Sequence, residues 1–338
     1  MTRPTAAADH HHHYPSEATT HHLPLVLLHN TKNFTVPFQS HLQARFHLID
    51  PNTQPDPSLQ PISTSIRVIL CVGPSPLPST TLNLYPSLEL VVGAGVGVDH
   101  IDLHECRRRN IRVANAGDAF SDDTADYAVG LLIDVLRGVS LADRFVRAGS
   151  WASDKEFPLG RTVAGKRIGV VGLGSIGSRI CRRLEGFGCR IAYNSRRMKP
   201  EFPYQFYGNV HDLAANSDVL ILSCALTDET YHVINKDVMR TLGKGGVIIN
   251  IGRGALIDEK ELVECLIEGI IGGAGLDVYE NEPNVPEELF ELDNVVLSPH
   301  KAVVTPESFK ALADVVVGNL EAFFSNKPLV SEIWLNVD

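Results

Sequence analysis

The chain has no apolar run approaching the length of about 18 residues that a membrane-spanning helix needs, so none is expected. It also lacks an excess of positive charge. Its 338 residues carry a formal net charge of -10, which argues against a nucleic-acid partner, because phosphate backbones are held by a basic face. A small anionic ligand remains allowed, since it responds to local charge. The six cysteines (Cys71, Cys106, Cys181, Cys189, Cys224 and Cys265) include no Cys-x-x-Cys pair. With no such spacing and several thiols inside apolar stretches, they read as reduced, buried groups in a reducing compartment, and no metal site is expected. Cys224 alone is kept as a candidate nucleophile. Residues 1–22 have few large apolar side chains and hold six of the 14 histidines, four of them running from His10 to His13. Such a segment cannot pack and reads as a disordered tail. It lacks the apolar core of a secretory signal, and with Arg3 as its one basic residue it makes a poor transit peptide. The cytosol is the default location and a chloroplast the alternative. The Leu335 to Asp338 ending is not a peroxisomal Ser-Lys-Leu signal.

What is present is a soluble composition, 44% apolar and 21% charged, in a chain too long for one compact core. Short apolar runs alternate with longer mixed segments. One series occupies residues 25–28, 46–49, 68–72, 88–92 and 111–113. A second occupies residues 167–171, 190–193, 219–222, 247–251, 275–278 and 295–297. The pattern predicts an α/β protein with two doubly wound parallel sheets. Residues 122–137 have an acidic start, a basic end and helical spacing, and read as one long helix. Residues 144–163 carry Trp151 and Phe157 without a clear period, and read either as an arm for a second subunit or as a linker. A last helix over 307–324 is expected to cross back to the first unit. The division that follows is 23–119 with 307–338 as a substrate-binding domain, and 120–306 as a dinucleotide-binding domain.

Two glycine loops end strands. Gly93-Ala94-Gly95-Val96-Gly97 spaces its glycines too closely for a dinucleotide cradle. It reads as a tight turn or as a loop whose bare N–H groups face a small anion. Gly172-Leu173-Gly174-Ser175-Ile176-Gly177 has the full G-x-G-x-x-G spacing, between a strand and a helix over 178–186. There Gly172 permits the turn, Gly174 lets the backbone reach a pyrophosphate, and Gly177 lets helix and strand pack closely. The next strand ends at Ser195-Arg196-Arg197, without the acid that would bond the ribose of NAD. Two guanidinium groups suit a 2′-phosphate, so NADP(H) is expected over NAD(H).

Downstream lie Asn250-Ile251-Gly252-Arg253-Gly254, Asp277-Val278-Tyr279-Glu280-Asn281-Glu282-Pro283 and Ser298-Pro299-His300. An Arg, an acid and a His at successive strand ends suit reduction of a 2-oxo acid. Arg253 would bind the carboxylate and polarise the ketone. His300 would supply the proton, because an imidazole titrates near neutral pH. Glu282 would bond the other ring nitrogen, fix its tautomer and favour the protonated ring.

Together these motifs resemble the D-isomer-specific 2-hydroxyacid dehydrogenase family, over about residues 60 to 325, and within it the plant reductases of glyoxylate, hydroxypyruvate and hydroxyphenylpyruvate. The Thr124-Ala125-Asp126 opening of the long helix and the Ser195-Arg196-Arg197 cluster favour that branch. The resemblance implies a Rossmann cofactor domain with a flavodoxin-like substrate domain, and a homodimer. It implies catalysis by Arg253, Glu282 and His300, with Ala94, Gly95, Val96, Gly97 and Arg253 gripping the substrate carboxylate. For the cofactor it implies Gly172, Gly174, Ser175, Ile176, Gly177, Ser195, Arg196, Arg197, Cys224, Ala225, Thr230, Ile251 and His300, with Asp277 near the nicotinamide carboxamide. Glu280 is a decoy for Glu282 in this register. Lys301 departs from the small residue usual after Ser-Pro-His. It either affects His300, reaches an anionic substrate or points to solvent, and Trp334 is a further candidate for the pocket wall. The expectation is NADPH-dependent reduction of glyoxylate or hydroxypyruvate, then hydroxyphenylpyruvate, to the D-2-hydroxy acid. The alternative is a nucleotide-sensing binding protein, like the family's corepressors, without turnover.

Overall fold

The computed structural model describes residues 23–30, 38–52, 63–73, 75–153 and 156–333. The expectations for the 1–22 tail and for Trp334 lie outside these residues. The strands in chain order are β1 (Leu25–Asn30), β2 (His47–Ile49), β3 (Val68–Val72), β4 (Leu90–Gly93) and β5 (Arg112–Ala114). After the long helix come β6 (Arg167–Val171), β7 (Arg190–Asn194), β8 (Gln205–Tyr207), β9 (Val219–Leu222), β10 (Val247–Asn250), β11 (Gly273–Leu276) and β12 (Val295–Leu297). A short β13 (Glu332–Ile333) closes the chain.

These strands form two sheets, a six-stranded one ordered β13-β5-β4-β3-β1-β2 and a seven-stranded one ordered β12-β11-β10-β9-β6-β7-β8. All pairings are parallel except that of β13 with β5. Both orders are doubly wound, flavodoxin-like in the first and Rossmann-like in the second. Every residue of β3, β4, β9, β10 and β11 is buried, as parallel strands covered on both faces require. The chain order reverses between β6 and β9, which pair directly, and that switch point is where an open α/β sheet binds ligands. No helix among the described residues is long and apolar enough to cross a membrane.

The helix Ser121–Arg137 begins with Asp122 and Asp123 and ends at Gly138, whose φ of 61° terminates it. Its Leu131 and Leu132 pack under the second sheet with Val170 and Ile249. The chain then forms a second helix, Val139–Arg147, with no buried residue. The sequence reading of 144–163 as an arm or linker did not extend to this helix, which begins five residues earlier. Trp151 is 74% and Leu159 98% exposed, while Phe145 and Phe157 meet edge to face. The last helix, Pro306–Phe324, lays Leu312, Val316, Leu320 and Phe323 on the first sheet against Leu28, Val68 and Leu70. Buried Asn319 accepts from the Val330 and Ser331 N–H groups, leading the chain into β13. The sequence reading missed β8 and β13. Both are short edge strands, where pairing geometry rather than an apolar run makes the strand.

Candidate active site

The turn after β6 is shaped for an anion. Gly172 has φ 97°, and a Cβ there would lie 2.5 Å from the Cys224 nitrogen, so only glycine lets this turn touch the loop after β9. A Cβ on Gly177 would strike the Gly172 carbonyl oxygen at 2.1 Å, which fixes how closely the helix Ser175–Glu185 abuts the turn. Gly174 differs, having nothing within 4 Å of a built Cβ. No side chain caps this helix at Gly174. Open backbone, uncapped N–H groups and a helix N-terminus fit a pyrophosphate. Ser175 Oγ bonds Asp118 and Arg179, and Arg179 and Arg183 pair with Asp118, Asp122 and Asp126 to brace this helix against the one beginning at Ser121.

Asn194, the last residue of β7, accepts the Gly172 N–H at 2.8 Å, which sets the following Ser195, Arg196 and Arg197 beside the glycine turn. Arg196 and Arg197 are exposed, and Ser195 Oγ donates to the Arg197 carbonyl at 2.6 Å. Lys199, which the sequence reading passed over, donates Nζ to the Leu173 carbonyl at 2.7 Å, so a third cation lies against this turn. Across the switch point, Thr230 Oγ1 closes its loop on the Ala225 carbonyl at 2.7 Å. Burial pushes the Cys224 thiol up to about 11, which leaves little thiolate for the nucleophilic role considered for it. Ile251 is packed into the core of the second sheet.

Arg253 follows β10 and reaches across to the first sheet. Its Nε donates to Asp99 Oδ1 at 3.1 Å and Oδ2 at 3.2 Å, and its Nη2 lies 3.1 Å from Oδ1. Both side chains are 30% exposed. A Cβ on Gly97 would sit 1.9 Å from Arg253 Nη2, so glycine is what lets the guanidinium rest on the first glycine loop. Among the described residues, no bond is donated by the N–H groups of Gly95, Val96 or Gly97. Ala94 needs correcting as a donor to the substrate carboxylate, because its N–H is committed to the Cys71 carbonyl at 2.8 Å. Burial alone would raise the Asp99 carboxyl, but the charge and hydrogen bonds of Arg253 outweigh it and hold Asp99 below its usual range. Asp99 was given no site role from the sequence, although it lies only two positions past Gly97.

His300 Nδ1 bonds Glu282 Oε2 at 2.8 Å. Glu282 also accepts the Tyr279 N–H at 3.1 Å. Burial opposes its ionisation, but the bond to His300, the His300 charge, the Tyr279 N–H and Arg253 together lower its pKa. An ionised Glu282 accepts at Nδ1 and leaves Nε2 as the free face of the ring. Asp277 is 1% exposed and anchors the loop beneath. Its Oδ1 accepts from Ser298 Oγ at 2.6 Å and the Lys301 N–H at 2.8 Å, and its Oδ2 from the Ala302 N–H at 3.0 Å. The structure thus places Asp277 under His300 as a support. Lys301 is exposed and lines a 940 Å³ groove with Asp123, Asp126, Arg144 and Phe290.

Residues 129–302 match the family model for the NAD-binding domain of D-isomer-specific 2-hydroxyacid dehydrogenases. A glyoxylate/hydroxypyruvate reductase of Arabidopsis thaliana is 54% identical over 93% of this chain and 98% of its own length. The hydroxyphenylpyruvate reductase of Plectranthus scutellarioides is 46% identical over 87% of this chain and 95% of its own. Among solved structures, the NADPH-dependent glyoxylate/hydroxypyruvate reductase of Sinorhizobium meliloti, in complex with NADP and malonate, superposes with a TM-score of 0.85. It is 36% identical and the match covers 92% of this chain and 97% of that one.

Asp99 and Glu282, with ordinary values of 3.8 and 4.5, both titrate lower when folded than when unfolded. Their stabilising contribution is therefore complete above those ordinary values and lost as pH falls through the lowered folded ones. Urea midpoints measured from pH 7 downward should drop in that acid window, and drop less steeply in the Asp99→Asn/Glu282→Gln double variant. Equal slopes would contradict this account of the two carboxylates.

Proposed function

The chain belongs to the D-isomer-specific 2-hydroxyacid dehydrogenase family, and from that premise we propose that it reduces a 2-oxo acid to the D-2-hydroxy acid, with NADPH preferred over NADH. The observation that carries the proposal is the convergence of Arg253 with Gly97 on one side and of Glu282 with His300 on the other. Gly172 to Gly177 and the helix behind them hold the cofactor phosphates, and the bound nicotinamide supplies the hydride. Arg253 and the N–H groups of Gly95, Val96 and Gly97 hold the substrate carboxylate, and Arg253 also draws charge onto the ketone oxygen. Asp99 keeps the guanidinium in place before substrate arrives. His300 gives its Nε2 proton to the ketone oxygen, and Glu282 at Nδ1 stabilises the protonated ring.

Glyoxylate and hydroxypyruvate are the first substrates, on the likeness to reductases so named, and hydroxyphenylpyruvate is next. Arg196 and Arg197 support NADPH, as does the NADP-bound relative. The exposed apolar surface of Val139, Val146, Trp151 and Leu159 suits a second copy of this chain, so we infer a homodimer. Six free cysteines suit the cytosol.

The direct test follows NADPH oxidation with glyoxylate, hydroxypyruvate and hydroxyphenylpyruvate. Turnover is expected with at least one, and His300→Ala should lower kcat about 100-fold or more while still binding NADPH. No turnover with any of them would favour the nucleotide-sensing alternative and overturn the enzyme reading. Cofactor choice is tested by Arg196→Ser/Arg197→Ser. Losing a charge-assisted pair should raise KM for NADPH about tenfold or more and leave that for NADH nearly unchanged. An unaltered NADPH preference would remove the arginines from the 2′-phosphate site.

A further inference from the structure

Glu280 and Glu282 lie two positions apart on the turn after β11, and each carboxylate holds an imidazole. Glu282 Oε2 meets His300 Nδ1 at 2.8 Å, and Glu280 Oε1 meets His232 Nε2 at 2.7 Å. Only the first pair takes part in the reaction proposed above, and sequence register alone makes Glu280 a decoy. We propose that His232 and Glu280 form a second Glu–His pair that does no chemistry itself but positions Arg253 and Glu282. The proposal rests on the reading that Arg253, Glu282 and His300 carry the reaction.

His232 joins the segments that carry those residues. Its backbone N–H donates to the Ala255 carbonyl at 2.9 Å, two residues past Arg253. Its Nδ1 lies 3.4 Å from Asp258 Oδ2, beyond the same turn, while Nε2 holds the Glu280 side chain. The two turns are already in backbone contact, since a Cβ on Gly254 would sit 1.8 Å from the Tyr279 carbonyl carbon and 2.2 Å from the Glu280 nitrogen. A shift in the Glu280 turn is therefore passed to Arg253, and His232 is the side chain that bonds both sides of the contact. His232 is held at φ 49°, as His300 is at 54°. This left-handed conformation disfavours a residue with a Cβ, so the surroundings must impose it.

The titratable groups facing the His232 ring are Asp258, Glu280 and Tyr231. Tyr231 stacks on it at 3.9 Å and reaches Glu280 Oε1 at 3.4 Å. One bond further, Glu259 accepts the Glu280 N–H at 3.0 Å. Apart from Tyr231, these neighbours are all carboxylates.

The test uses the full chain with His232→Gln, Glu280→Gln and both together, beside His300→Ala. Misplacement of the catalytic groups should lower kcat about tenfold in each single variant. The double variant should be no worse than the weaker single, because the pair acts as one unit. NADPH affinity, read by fluorescence, should stay within about twofold, since His232 touches neither glycine turn nor arginine pair. Glu280→Asp, which keeps the carboxylate that His232 bonds, should recover most of the kcat that Glu280→Gln loses. Glu280→Gln alters a surface carboxylate and keeps the test open if His232→Gln does not fold. Wild-type kcat in Glu280→Gln and His232→Gln, with His300→Ala inactive, would overturn the positioning role and leave the catalytic reading intact. So would a double variant that loses the product of the two single effects. Full activity in His300→Ala would instead overturn the reading on which the proposal rests.

Discussion

The Arg253–Asp99 ion pair is the constraint on which the site depends. It joins residues 154 positions apart, one after β10 of the second sheet and one after β4 of the first. Each sheet alone offers only a strand edge with loops. The pair draws the two edges together and does so through Gly97, the one residue type whose missing Cβ leaves room for the guanidinium. Because the pair is partly exposed, its strength lies in geometry more than in energy. It fixes the plane of the Arg253 guanidinium, and on the proposed reading that reduces the ordering a substrate carboxylate must impose on binding.

Around that pair the site is a set of anion holders in a chain of net charge -10. The overall charge repels anions weakly, so recognition has to be local. It rests on an uncapped helix N-terminus at Gly174, unused N–H groups at Gly95 to Gly97, and the cations Arg196, Arg197, Lys199 and Arg253. Carboxylates are placed where they serve those holders: Asp99 on Arg253, Glu282 on His300 and buried Asp277 beneath the His300 loop. On the proposed reading the two glycine loops have separate tasks, one toward the phosphates of the cofactor and the other toward the carboxylate of the substrate.

Much of this was legible in the sequence, and for stated reasons. Strands β3 and β9 were readable to the residue because strands buried on both faces must be continuous apolar runs, and β6 and β12 because their apolar runs stand out even where a strand end or edge is not buried. Gly172 to Gly177 were readable because each glycine answers a separate steric demand. Glu282 and His300 were readable as motif residues, and they meet at 2.8 Å. What stayed hidden depends on contacts between distant segments. Asp99 and Lys199 are ordinary polar residues until the fold sets them against Arg253 and Leu173. The N–H of Ala94 looked as free as that of Gly95 until the sheet placed Cys71 opposite it. His232 had no local pattern to mark it, because its partners lie at positions 255, 258 and 280. The helix Val139–Arg147 was passed over although its residues alternate at helical spacing, and among the described residues none of its side chains is buried.

The most direct test of the account is a crystal structure of the protein with NADPH and a non-reducible 2-oxo acid analogue such as oxamate. The account predicts the analogue's carboxylate between the Arg253 guanidinium and the N–H groups of Gly95 to Gly97, with its carbonyl oxygen at His300 Nε2. A carboxylate bound away from Arg253, for example on Lys301, would contradict the assignment of the first glycine loop as the substrate side of the site.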